Sequence, residues 1–181
     1  IIFPELAITG YPPEDLLLRE SFIGKNFAVL EEIAAFSSNT SGIIGFVDRK
    51  TDSNNQDNNE RTIANAAAIV QNGDVRGIYH KSFLPNYSVF DEARYFSKGT
   101  NSDTLFWYDD IAIGINICED IWIEDGPAED QVKQGASLII NINASPYDIQ
   151  KNETRKELVM KKALKLNVPI IYLNMVGGQD E

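Results

Sequence analysis

Short β-branched runs alternate with longer amphipathic stretches along this chain, and the two periods predict its elements. From Ser21 to Phe36 the apolar residues Phe22, Ile23, Phe27, Leu30, Ile33 and Ala34 recur at helical spacing against a charged opposite face, which predicts an amphipathic helix. Glu153 to Leu166 predicts a second helix, and Ala128 to Gln134 a shorter one stopped by Gly135. Gly42–Val47, Leu105–Tyr108, Ile111–Ile117, Leu138–Ile142 and Pro169–Leu173 are short runs rich in β-branched and aromatic residues, as strands are. Asn65–Val70 and Val75–Tyr79 flank Asn72-Gly73, a dipeptide that supplies the positive φ angles of a tight hairpin. Ile1–Phe3 reads as a short strand leading into a loop, where Pro12-Pro13 bars regular helix. There is no internal repeat, and the order of strands and helices implies a mixed α/β layered domain.

Two stretches fit neither period. Lys50–Asn59 is a polar surface loop rich in Asn, Asp and Ser. His80–Gly99 is long, aromatic-rich and irregular, and a long loop inside a compact domain is usually functional. Trp107 and Trp122 are expected in the core.

Composition narrows the classes. The 181 residues suit one domain with a core that needs no staples. A net charge of −11 argues against a nucleic-acid surface or an anionic membrane face. No apolar run approaches the ~20 residues of a membrane helix. One cysteine excludes an internal disulfide framework, and with one histidine there is no basis for a structural metal cluster. The expected compartment is the cytoplasm. The opening Ile1-Ile2-Phe3-Pro4-Glu5 resembles a strand entered midway, and the closing Gly177-Gly178-Gln179-Asp180-Glu181 stops in a turn. The expectation is a piece of a longer protein, cut at both ends.

The candidate chemistry centres on Cys118, at the downstream end of the Ile111–Ile117 run, where open α/β sheets place their ligands. A lone cysteine is more often a small buried hydrophobe. Two other positions give it company. Glu5 follows Pro4 at a strand end, and a carboxylate can take a thiol proton and return it to a leaving amine. Lys81 opens the long irregular loop, and an ammonium stabilises both thiolate and oxyanion. Taken singly, a surface glutamate and a solvated lysine explain these two equally well. No local spacing joins the three.

The segments Phe3-Pro4-Glu5-Leu6-Ala7-Ile8-Thr9-Gly10-Tyr11, His80-Lys81-Ser82-Phe83-Leu84-Pro85 and Ile117-Cys118-Glu119-Asp120-Ile121-Trp122 resemble, in order, the three signature blocks of the nitrilase superfamily. Within it, Tyr11-Pro12-Pro13-Glu14-Asp15-Leu16-Leu17, Phe90-Asp91-Glu92-Ala93-Arg94-Tyr95-Phe96 and Asn174-Met175-Val176-Gly177-Gly178-Gln179-Asp180-Glu181 are similar to the glutaminase domains of glutamine-dependent NAD synthetases. The resemblance implies a four-layer α-β-β-α sandwich over residues 1–181, truncated at both ends. It implies hydrolysis of the glutamine side-chain amide, with ammonia sent to an ATP-using synthetase domain of the same parent chain that amidates deamido-NAD to NAD. The Ser-Gly-Gly pyrophosphate loop of that second domain is absent from this sequence. ATP and Mg would belong there, and neither cofactor nor metal to residues 1–181.

By the same resemblance Cys118 is the nucleophile, Glu5 the general base and acid, and Lys81 the oxyanion stabiliser. The N–H of Glu119 is a second oxyanion donor. Glu92 helps orient the lysine and water, or is a structural glutamate near Arg94. Tyr87, Ser145 and Lys151 bind glutamine. Lys151 opposes the macrodipole at its helix start, so it is either solvated or has an anionic partner. His80 and Lys81, adjacent in an extended segment, point opposite ways, so His80 is structural. The implied partners are glutamine, the synthetase domain and further copies of the chain. A stand-alone amidase acting on another small amide, or a fragment keeping only a scaffold or oligomer role, are the competing readings.

Overall fold

In the computed structural model, which describes residues 1–50, 63–87, 90–100, 102, 104–149 and 151–177, two sheets face each other across an apolar seam. Strands β1 (Gly42–Arg49), β2 (Ile63–Gln71) and β3 (Asp74–His80) form one antiparallel sheet with β2 in the middle. In the other, β4 (Leu105–Tyr108) runs antiparallel to β5 (Ile111–Ile117), while β6 (Leu138–Asn143) and β7 (Ile170–Asn174) continue parallel to β5. The antiparallel connections are tight turns with positive φ at Asn72, Gly73 and Asp109. Parallel strands need crossovers, and α2 (Pro127–Lys133) and α3 (Lys151–Leu166) supply them.

Side-chain alternation along the strands builds the layers. Ile43, Ala67, Tyr79, Ile115, Ile117 and Ile140 point into the seam. Their neighbours Ile44, Phe46, Ala66 and Ala68 pack under Leu30 and Ala34 of α1 (Glu20–Ala35). On the outer face of the second sheet, Ile139 meets Ala128 of α2 and Leu158 of α3. Helix, sheet, sheet, helix: the order is the expected α-β-β-α sandwich. Asn26 fastens α1 to the sheet, donating to the Val47 carbonyl at 2.7 Å and accepting from the Val47 N–H at 3.1 Å.

Two expectations need correction. Ile1–Phe3 forms only a single parallel bridge, Ile2 to Ile43, rather than a full strand. Trp107 is 65% exposed and outside the core. Its neighbour Phe106 turns into the seam, where its ring occupies the space a side chain at Gly77 would fill, so on edge strand β4 alternation sends Trp107 the other way. Most of the expected polar loop, residues 51–59, and the closing turn, residues 178–181, lie outside the described residues. Among the described residues no helix is long and apolar enough to cross a membrane.

Candidate active site

Glu5 sits in a turn laid across β1. Leu6, at φ 48°, is fully buried, and the Ile8 N–H donates to the Gly45 carbonyl at 3.2 Å. The turn therefore has a fixed position, and it aims the carboxylate inward. Glu5 Oε1 accepts from Lys81 Nζ at 2.7 Å and from Asn65 Nδ2 at 2.7 Å. Oε2 accepts from the Ala144 N–H at 3.0 Å. Both Glu5 and Lys81 are buried.

Lys81 follows the last residue of β3. Its N–H donates to the Asn65 carbonyl at 2.9 Å, and its carbonyl accepts from the Gly99 N–H at 2.7 Å, so the backbone is pinned on both sides. Beyond Glu5, its ammonium reaches Glu92 Oε1 at 2.8 Å, and the Tyr11 hydroxyl donates to that same oxygen at 2.8 Å. Burial alone would pull the lysine down, but the facing carboxylates of Glu5 and Glu92 outweigh it and hold the ammonium well above its usual range. Burial raises Glu92 to about 7 against the opposing pull of Lys81. Of the two roles left open for Glu92, the geometry selects contact with the lysine. Arg94 instead lies near Asp15 and Asp91, at 3.7 and 3.9 Å.

At the end of β5 the chain turns into a short 3-10 helix, Cys118–Trp122, with Cys118 itself at φ 44°. A non-glycine residue in this left-handed region is uncommon, and such strain clusters at functional sites. The Cys118 Sγ lies 3.3 Å from Ser145 Oγ. Burial, then the Glu5 charge, push the thiol up to about 12, while Lys81 and the Ser145 hydrogen bond pull it down. The resting group is thus a neutral thiol, and making it nucleophilic requires a base at hand. His80 does not fill that role: its Nε2 is 2.7 Å from Asp48 Oδ2.

Above Cys118 lies a pocket of 260 Å³ lined by Tyr87, Phe90, Glu119, Ser145, Lys151 and Arg155, among others. The Tyr87 hydroxyl donates to Glu119 Oε2 at 2.8 Å. Ser145 is held by its backbone, with Asn174 accepting from its N–H at 2.9 Å and donating to its carbonyl at 3.1 Å. Lys151 is exposed on the first residue of α3, and Arg155, one turn on, donates to the Pro146 carbonyl at 2.9 Å. All eight residues singled out from the sequence lie here: Glu5, Lys81 and Glu92 in the charge network, Cys118, Glu119, Tyr87, Ser145 and Lys151 at the pocket.

Three contributors were not anticipated. Asn65 is a polar residue inside the middle strand of a sheet, and a buried amide demands a partner, which is a usable signal. Arg155 shares a helix face with Lys151 at i+4, which also could have been read. Nothing local marks Tyr11. A larger cavity of 330 Å³ opens between the sheets beside Ile1, Ile2, Phe106 and Trp107, remote from the charge network. Among the described residues no cluster of His, Cys, Asp and Glu is arranged to hold a metal ion.

Comparisons with known proteins agree with this geometry. The carbon-nitrogen hydrolase family matches residues 1–181. The glutamine-dependent NAD(+) synthetase of Thermotoga maritima is 41% identical over 184 residues, covering 100% of this chain and 30% of that protein. Its counterpart from Aquifex aeolicus is 39% identical, again over 100% of this chain and 30% of the relative. The chain thus spans about a third of the length of these relatives. Among solved structures, glutamine-dependent NAD+ synthetase from Acinetobacter baumannii superposes with a TM-score of 0.86 at 38% identity, covering 100% of this chain and 32% of that one. An amidase from Nesterenkonia sp. shares the fold at a TM-score of 0.77 and 18% identity, over 98% of this chain and 63% of its own. Fold, site geometry and sequence match converge: the chain belongs to the carbon-nitrogen hydrolase family of the nitrilase superfamily.

Proposed function

We propose that this chain hydrolyses the side-chain amide of glutamine and that the ammonia feeds an ATP-dependent synthetase domain converting deamido-NAD to NAD. The observation that carries the reading is the shared oxygen of Glu5: one carboxylate is bonded to Lys81 and exerts its charge on the Cys118 thiol. The synthetase names of the relatives supply the biological setting. In this reading residues 1–181 form the glutaminase domain of a longer cytoplasmic protein that assembles as a homo-oligomer. ATP and Mg belong to the synthetase domain, and the amide hydrolysis uses no cofactor.

The chemistry follows from the charges. Glu5 Oε1 already takes two donors, so Oε2 is the oxygen with room for the thiol proton. As Cys118 Sγ bonds to the amide carbon, its proton passes to Glu5, because a thiol raised to about 12 holds no standing thiolate near neutrality. The developing oxyanion meets the Lys81 ammonium and the Glu119 N–H. Glu5 returns the proton to the leaving nitrogen, ammonia departs, and a thioester remains. Water, deprotonated by Glu5, adds to the thioester, and collapse releases glutamate and restores the thiol. The balance is glutamine plus water to glutamate plus ammonia.

Substrate choice rests on the pocket. Glu119 offers a carboxylate, while Lys151 and Arg155 offer cations, a complement to the ammonium and carboxylate of an amino acid. With both ends held, the distance to the sulfur fits one side-chain length. Asparagine, one methylene shorter, leaves either the anchors unpaired or the carbonyl out of reach. The test is kcat/KM for glutamine, asparagine and a simple aliphatic amide, in wild type and in Ser145→Ala and Lys151→Ala. Strong preference for glutamine, eroded in both variants mainly through KM, is expected. Equal use of all three amides would replace this reading with that of a general amidase.

A further inference from the structure

Asp120, two residues past Cys118, is fully buried, and its carboxylate gathers donors from both sides of both reactive residues. Oδ1 accepts from the backbone N–H groups of Ser82 at 3.1 Å and Phe83 at 2.9 Å. Oδ2 accepts from the Tyr79 hydroxyl at 2.8 Å and the Ile117 N–H at 3.0 Å. Tyr79 precedes Lys81 in the chain, and Ser82 and Phe83 follow it. Ile117 precedes Cys118, and Asp120 itself follows it on the same 3-10 helix. One carboxylate therefore ties the lysine-bearing segment, which leaves one sheet, to the cysteine-bearing segment, which leaves the other.

We infer that Asp120 is a positioning residue that sets Lys81 in register with Cys118, so that the ammonium stands where the oxyanion forms. The inference rests on the reading above, in which these two residues act on one substrate. No other side chain among those described is bonded to both segments through four donors. The bonds are charge-assisted, the stronger and more directional kind. Burial raises the Asp120 carboxyl to about 6, with the Ile117 N–H and Lys81 opposing, so the acceptor form prevails at neutral pH. An asparagine keeps the shape but must aim an NH2 group at a pair of donors. Register is then lost with little change in volume, and a displacement of about 1 Å at a reacting centre can cost about 100-fold in rate.

The experiment compares wild type, Asp120→Asn and Tyr79→Phe. It counts folded sites by one-to-one alkylation of the chain's single cysteine with iodoacetamide, then measures kcat and KM for glutamine per titrated site. Asp120→Asn should lower kcat about 100-fold with KM within threefold, because the pocket residues are untouched. Tyr79→Phe, which removes one donor of the four, should lower kcat several-fold with KM unmoved. A purely structural aspartate would lower the melting temperature while leaving kcat per titrated site at the wild-type value, and that result overturns the inference. If Asp120→Asn does not fold, an unchanged kcat in Tyr79→Phe overturns it alone. Should wild type fail to hydrolyse glutamine, the functional reading falls, but the alkylation rate still decides this one. Alkylation at least tenfold slower in the variants supports register by Asp120, and equal rates contradict it.

Discussion

Gly45 is the floor on which Glu5 rests: a Cβ added there would stand 2.7 Å from the Glu5 carbonyl carbon and 2.3 Å from the Pro4 carbonyl oxygen. A glycine inside a strand weakens it, and its usual justification is a close approach of another backbone. Here the approaching backbone is the turn that carries the proposed base. Gly45→Ala must push that turn off β1 and carry the carboxylate away from Lys81 and the Ala144 N–H. Glutamine hydrolysis is expected to fall about 100-fold or more. Steady-state kinetics on protein shown to be folded by its melting curve checks this, and near-wild-type kcat would mean the turn is not held by the glycine.

The neighbours Lys81 and His80 are separated by the alternation of β3. Lys81 faces the carboxylates, whereas His80 is committed to Asp48. Lys81→Ala should lower kcat on the order of 10²–10³-fold, the usual cost of losing an oxyanion donor. His80→Ala should cost far less. Kinetics of the two variants side by side settles the matter, and a dominant histidine effect would point to a Cys–His dyad.

Glu92 predicts a pH signature in stability. Its value in the fold, about 7, lies above the 4.5 of an ordinary glutamate, chiefly because burial disfavours the charge. Stability tied to the protonated group is complete below about pH 4.5 and is lost as pH rises through about 7. Glu92→Gln is neutral at every pH and escapes that loss. The melting temperature of Glu92→Gln minus that of wild type should therefore climb between about pH 5 and pH 8, by an amount on the order of 1 kcal/mol or more. A difference that is flat or falls with pH would remove Glu92 from the network.

Much of this architecture was legible because its signals are local. The Ile111–Ile117 strand and the Asn72-Gly73 hairpin were marked by branched residues and by turn chemistry, and both appear where expected. Helix α3 starts at Lys151 rather than Glu153, since the residues before the apolar stripe carry no periodicity of their own. Trp107 was misplaced in the core because residue type says nothing about whether a strand lies at an edge. At the site, resemblance between motifs brought Glu5, Lys81 and Cys118 together, and spacing along the chain would not have done so. The partners that hold them are separated from them by long stretches: Asn65 meets Glu5 across 60 residues and Tyr11 meets Glu92 across 81. Only the folded sheets create those contacts.

The central claim is that Cys118 forms a covalent bond with the carbonyl carbon of glutamine. Intact-mass analysis after exposure to a diazo-ketone analogue of glutamine tests it most directly, because the chain contains a single thiol. Wild type should gain one label, glutamine should protect against it, and Cys118→Ala should show neither label nor glutamine hydrolysis. A Cys118→Ala protein that still takes the label, or still releases ammonia from glutamine, would contradict the account.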